Sequence, residues 1–233
     1  MIRQLPRWVW LGVFILPLSA GMVNAVAYLA FTHDAVSHVT GNTTRLAISL
    51  QHRDLGEALG LTGIIAAFLG GAVISGLIVG NERLRLGRPY GVALMVESLL
   101  LSLAYLLFSQ GFTAGEYCAA AACGLQNAMV ATYSGSVIRT THLTGVVSDI
   151  GAWIGGFLRG HRQDRWQLTL LTTVFAGFLT GGLVGALAFA SLRFMTLLVP
   201  AGLCLTVGTA YVWYRSLHPA GLPGEEVAVR QAG

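Results

Sequence analysis

Gly21-Met22-Val23-Asn24-Ala25 lies inside an apolar run, Ser37-His38-Val39-Thr40-Gly41 follows it, and both return later in the chain. The first reappears as Gly124-Leu125-Gln126-Asn127-Ala128 and the second as Thr141-His142-Leu143-Thr144-Gly145. Phe68-Leu69-Gly70-Gly71 is then echoed, in the same order, by Phe178-Leu179-Thr180-Gly181. Self-similarity at a fixed spacing marks a duplicated unit. A glycine-rich apolar sequence matches itself easily, which accounts for the third echo but not for two asparagines and two histidines in register. The chain reads as two related halves, residues 1–110 and 111–215, with a poorly ordered cytoplasmic tail at 216–233 that holds Pro219, Gly221, Pro223 and Gly224.

The surroundings of these motifs are apolar throughout. Of 233 residues, 55% are apolar and 10% charged, where a soluble domain carries about 25% charged residues. Mean hydropathy is +0.68. So little charge cannot clothe a water-facing surface, and the expected class is an all-α polytopic membrane protein. Thirty glycines suit transmembrane helices that pack closely. The net charge of +4 comes from fourteen basic residues, all arginine; cytoplasmic membrane loops account for these without nucleic acid. Cys118, Cys123 and Cys204 lie in apolar runs without a CxxC pair, and read as small buried hydrophobes. Arg3 and Arg7 before an apolar run resemble a secretory signal, but the run from Trp8 to Phe31 is longer than a signal core and is read as a retained first helix.

A crossing helix needs about 20 mostly apolar residues. Six stretches qualify: Trp8 to Phe31, Ala58 to Gly80, Pro89 to Phe108, Gly115 to Tyr133, Gln167 to Ala190, and Phe194 to Tyr214. With a cytoplasmic N-terminus, six crossings put Arg3, Arg7, Arg83, Arg85, Arg88, Arg139, Arg159, Arg162, Arg165, Arg215 and Arg230 inside and only Arg45, Arg53 and Arg193 outside. This is a strong positive-inside pattern, with both termini cytoplasmic. Counting two shorter segments, His38 to Leu50 and His142 to Leu158, as spans would give eight crossings and turn Arg83, Arg85 and Arg88 outward. Three crossings per half invert the second half relative to the first. That 3+3 plan recurs in transporters whose site lies between the halves.

Each short segment begins with hydroxyl and amide side chains beside a glycine, good material for a helix start. At 1.5 Å per residue the first is about 20 Å long, too short for about 30 Å of hydrocarbon. We expect a break after the first and fourth crossings, then a short broken or re-entrant helix. Irregular backbone at that depth is tolerated where it lines a cavity or is buried in protein. His38, Thr40, Gly41, Asn42, His142, Thr144 and Gly145 are the expected solute pathway, with Asn24, Gln126, Asn127, Arg45, Arg139 and Asp149 as supporting polar groups. Asp149 stands where the first half has Arg45. The competing use of these residues is helix capping and contact between halves.

Glu97 falls inside the third crossing. A charge at the centre of a membrane helix costs about 2.5–3.5 kcal/mol, so this acid is expected to be protonated and structural, to pair with Arg45 or Arg139, or to couple protons. Gly177, Gly181 and Gly185, and likewise Gly76 and Gly80, form small-residue stripes for close packing. His33, Asp34 and His38 are a weak metal set, since zinc takes three or four ligands in a closed geometry. Ser134-Gly135-Ser136 has no base tied to it. No cofactor, metal or catalytic residue is expected.

The segments Ala20-Gly21-Met22-Val23-Asn24-Ala25, His38-Val39-Thr40-Gly41-Asn42-Thr43, Gly124-Leu125-Gln126-Asn127-Ala128 and Arg139-Thr140-Thr141-His142-Leu143-Thr144-Gly145 together resemble the YoaK family of bacterial membrane proteins, up to about Tyr214. The resemblance implies a bacterial inner-membrane protein and little about substrate. The family usually has aspartate where this chain has Asn24, and commonly an aromatic where it has His142. If that aspartate couples ion movement in relatives, this chain either lacks the coupling or uses Glu97 or Asp149 instead. The expected function is a transporter or channel for a small solute in a lipid bilayer, compatible with a homo-oligomer. The alternative is a non-transporting scaffold or a subunit of a membrane complex.

Overall fold

The computed structural model describes residues 7–30, 35–80, 89–133, 139–161 and 164–217. Among the described residues there are eight α-helices, one 3-10 turn and no strand. The helices are α1 (Arg7–Tyr28), α2 (Val39–His52), α3 (Leu55–Val79), α4 (Tyr90–Ser109), α5 (Gly115–Tyr133), α6 (Leu143–Leu158), α7 (Arg165–Leu192) and α8 (Leu198–Leu217); the 3-10 turn, Arg193–Leu197, joins the last two. Each of the six apolar runs forms one helix, and α2 and α6 are the two short segments. By length and composition four stretches can cross a membrane: Trp10–Tyr28, Leu55–Val79, Tyr90–Ser109 and Arg165–Leu217, the last holding both α7 and α8. Helix α5 is not among them; it carries Glu116, Gln126 and Asn127 and is buried along much of its length.

The helix ends follow from local chemistry. Asp54 Oδ1 accepts the Glu57 backbone N–H at 3.0 Å to start α3, and Asp164 Oδ1 accepts that of Trp166 at 3.0 Å to start α7. Gly111, at φ 82°, supplies the left-handed turn between α4 and α5.

Helices pack in a reciprocal pattern: α1 lies along α7, α3 along α5, and α4 contacts α5 and α8. Glycines set the first two contacts. A Cβ at Gly21 would strike the Phe178 carbonyl, and one at Gly124 would strike that of Phe68. A Cβ at Gly181 would strike the Leu18 carbonyl, and one at Gly71 that of Ala121. The Phe-Leu-x-Gly echo, which sequence attributes to chance matching, therefore places corresponding glycines at corresponding backbone contacts. Gly177 and Gly185 extend the α1–α7 contact, against Phe14 and Met22. Gly76 faces open space, whereas Gly63 and Gly71 of α3 pack against Tyr117 and Ala121 of α5.

Outside these contacts the surface is greasy. Leu77 on α3 is 81% exposed and Leu179 on α7 is 61% exposed. Leucine rows of this kind cost free energy in water and none against lipid tails. The chain is a polytopic helical membrane protein.

Candidate functional site

After α1 the chain turns through Ala35, Val36 and Ser37 to reach His38, the residue before α2. Val36 and Ser37 are buried. Asn24, on the inner face of α1, holds this turn: its Nδ2 donates to Ser37 Oγ at 2.5 Å, and its Oδ1 accepts the Ser37 backbone N–H at 3.2 Å. Asn127 takes the same position on α5, where Oδ1 accepts the Thr141 backbone N–H at 3.4 Å. The two breaks thus share one design, an asparagine on the preceding helix holding the backbone one residue before the histidine.

The histidines are alike as well. His38 (φ −91°, ψ 64°) and His142 (φ −89°, ψ 57°) each sit at the N-cap without a side-chain capping bond. Each imidazole lies over the first turn of its own helix. A Cβ at Gly41 would come within 2.5 Å of His38 Nδ1, and one at Gly145 within 2.7 Å of His142 Nδ1. Glycine three residues after each histidine makes room for the ring.

The two breaks meet at one cavity of about 520 Å³ between α1 and α7. Gly21, Asn24 and Tyr28 of α1 line it, with Ser37 and His38 from the first break, Thr141, Leu143 and Thr144 from the second, and Phe178, Gly182 and Ala186 of α7. His38 and Thr144 are exposed. The first-turn N–H groups of α2 and α6, without side-chain caps, begin at this wall; such groups favour electron-rich partners.

Not every expected residue belongs to the wall. Asn42 is buried, and its Nδ2 donates to the Ala35 carbonyl at 3.0 Å, so it secures the break instead of facing a solute. Thr40 is exposed, and its carbonyl accepts Thr44 Oγ1; neither it nor His142 lines the cavity. Arg45 does not reach Glu97. Its Nη2 pairs with Glu57 Oε1 at 2.5 Å, and Ser49 Oγ donates to Glu57 Oε2 at 2.6 Å, fastening α2 to α3. Glu57 was missed in the sequence, although Arg45, Ser49 and Glu57 at four- and eight-residue spacings around the Arg53-Asp54 turn carry the signal. Arg139 is exposed at the second break, and Asp149 is exposed on α6. Gln126 belongs to a separate place: its Nε2 donates to Glu97 Oε1 at 2.8 Å in the buried α4–α5 contact. His33, Asp34 and Ser134–Ser136 lie outside the described residues, as do Arg83, Arg85, Arg88 and the tail beyond Leu217. No group of three metal-binding side chains occurs among the described residues.

Comparison with known proteins agrees with the motif resemblance. The chain is 29% identical over 190 residues to the UPF0700 transmembrane protein RA0705 of Rhizobium meliloti (strain 1021), covering 80% of each. No solved structure matches. A family model described as a protein of unknown function, DUF1275, matches residues 12–210, and YoaK is itself a DUF1275 member. The motifs at the two breaks, the helical membrane architecture and this match agree: the chain belongs to the DUF1275 family.

Proposed function

We propose that this protein is a transporter or channel for a small solute, with its pathway between two inverted repeats. In this reading α1, α3 and α4 cross the membrane as one set of three and α5, α7 and α8 as the other, while α2 and α6 re-enter from opposite faces. One observation carries the reading: two polar breaks, far apart in sequence and alike in design, open on the same cavity. Irregular backbone inside a bilayer is tolerated at such a place, and paired half-helix starts between inverted repeats are a recurrent way to build a solute site. The reciprocal glycine contacts support the duplication. The arginine bias supports cytoplasmic termini in a bacterial inner membrane.

Two measurements test it. Arg53→Cys and His161→Cys, at the far ends of α2 and α6, are expected to react with an impermeant maleimide from opposite sides of the membrane. Labelling of both from one side refutes the inverted arrangement. Osmotic swelling of proteoliposomes in glycerol, urea and monosaccharides is then compared with the His38→Ala/His142→Ala double variant. A flux that the double variant alters is expected. The absence of flux for every solute, together with Ser37→Cys and Thr144→Cys unreactive from both sides, would favour the scaffold reading.

A further inference from the structure

Away from the cavity, α4 and α5 meet at a polar pair that lines no part of it. Glu97 is 2% exposed and Gln126 is 1% exposed. Gln126 Nε2 donates to Glu97 Oε1 at 2.8 Å, yet Glu97 Oε2 and Gln126 Oε1 are both buried without a nitrogen or oxygen donor among the described residues. With an ionised carboxylate both orphans are acceptors, and neither can satisfy the other. Buried acceptors without donors are rare because each forfeits its hydration. Among the described residues no cation pairs with Glu97: Arg45 pairs with Glu57, Arg193 beside the 3-10 turn lies over the Phe189 ring, and Arg139 is exposed. Among the described residues the titratable groups beside the carboxyl are thiols, Cys123 from α5 and Cys204 from α8, the latter within reach to donate a weak S–H hydrogen bond to it.

One proton resolves both orphans. Placed on Oε2, it converts that atom from acceptor to donor and gives Gln126 Oε1 its partner. We infer that Glu97 and Gln126 form a proton-binding site, a carboxylic acid–amide ring in which Oε2–H donates to Gln126 Oε1 while Oε1 accepts from Gln126 Nε2–H. The ligand is a single proton, and no other reactant is required. Because Glu97 belongs to the first half and Gln126 to the second, the bound proton clasps the halves together. Its loss leaves a negative charge and two buried acceptors in the α4–α5 contact.

The inference stands apart from transport and is read directly by infrared spectroscopy of the full-length protein in lipid nanodiscs. At neutral pH the wild type is expected to show a protonated-carboxyl C=O stretch, sensitive to deuterium exchange and missing from Glu97→Gln, which keeps the side-chain shape. Gln126→Leu is expected to move that band to higher wavenumber, since the carbonyl loses its donor. A wild-type minus Glu97→Gln difference holding only carboxylate stretches overturns the proton site. A band that Gln126→Leu leaves unmoved overturns the ring. Should Glu97→Gln fail to fold, Gln126→Leu decides: a protonated-carboxyl band at neutral pH that it shifts upholds the site, and the absence of any such band from the wild type overturns it.

Discussion

Gly181→Ala is the sharpest test of how this bundle is held together. The added Cβ would stand 2.7 Å from the Leu18 carbonyl carbon and 2.8 Å from its Cα, with the carbonyl oxygen nearer still. Carbon atoms settle at about 3.5–4.0 Å, so α7 must withdraw from α1 by about 1 Å. The obstacle is backbone, which has no rotamer through which to move aside. Withdrawal also opens the neighbouring contacts of Gly177 on Phe14 and Gly185 on Met22. Overpacking of this kind costs about 1–3 kcal/mol, occasionally more, and it outweighs the advantage of about 1 kcal/mol or less that alanine holds over glycine within a helix. Gly70→Ala is the matched control, because nothing lies within 4 Å of its Cβ. Denaturant unfolding in mixed micelles, followed by far-ultraviolet circular dichroism, compares the two. Gly181→Ala should lose stability by that amount and Gly70→Ala should hold or gain. Gly71→Ala, on the corresponding contact of α3 with α5, should lose as Gly181→Ala does. Equal stability of Gly181→Ala and Gly70→Ala would refute the backbone contact as the origin of the α1–α7 association.

Further outcomes follow from the site. Asn24→Ala removes both hydrogen bonds that Asn24 makes to Ser37 in a buried turn and should destabilise by about 1–3 kcal/mol in the same unfolding assay; Asn127→Ala, whose bond is 3.4 Å long, should cost less. Arg45→Gln and Glu57→Gln should each loosen α2 from α3, and a double-mutant cycle on unfolding should show coupling that shrinks as salt is raised; no coupling at low salt would remove this ion pair from the account of α2.

The helices were legible because a bilayer demands long apolar runs, though the number of crossings was not: α5 forms a helix where expected but is not among the four stretches long and apolar enough to span. The breaks were legible too, since His38-Val39-Thr40-Gly41 and its echo put hydroxyl groups and glycine where a crossing helix wants neither. What sequence could not give was partnership. Glu97 finds Gln126 only because α4 packs on α5, and Arg45 finds Glu57 only because the chain reverses at Arg53-Asp54. Asn42 looked like a pathway residue by type, but its side chain turns back to the Ala35 carbonyl. The Phe68–Gly71 echo looked trivial by composition and became informative once its glycine met the Ala121 carbonyl. The convergence of Ser37 and Thr144 on one cavity depends on how α1 lies against α7, which no local pattern encodes.

A seam in which main chain touches main chain has no side-chain joint to flex. Helices α1 and α7 are joined by such a seam, as are α3 and α5, so each pair is mechanically a single strut. When the surrounding lipid thins, thickens or curves, neither strut can shear internally without tearing open a row of glycines. Helices α2 and α6 hang on these struts, α2 on α3 and α6 on α7, so the cavity residues at their starts, His38, Leu143 and Thr144, ride on the less tightly fastened arms.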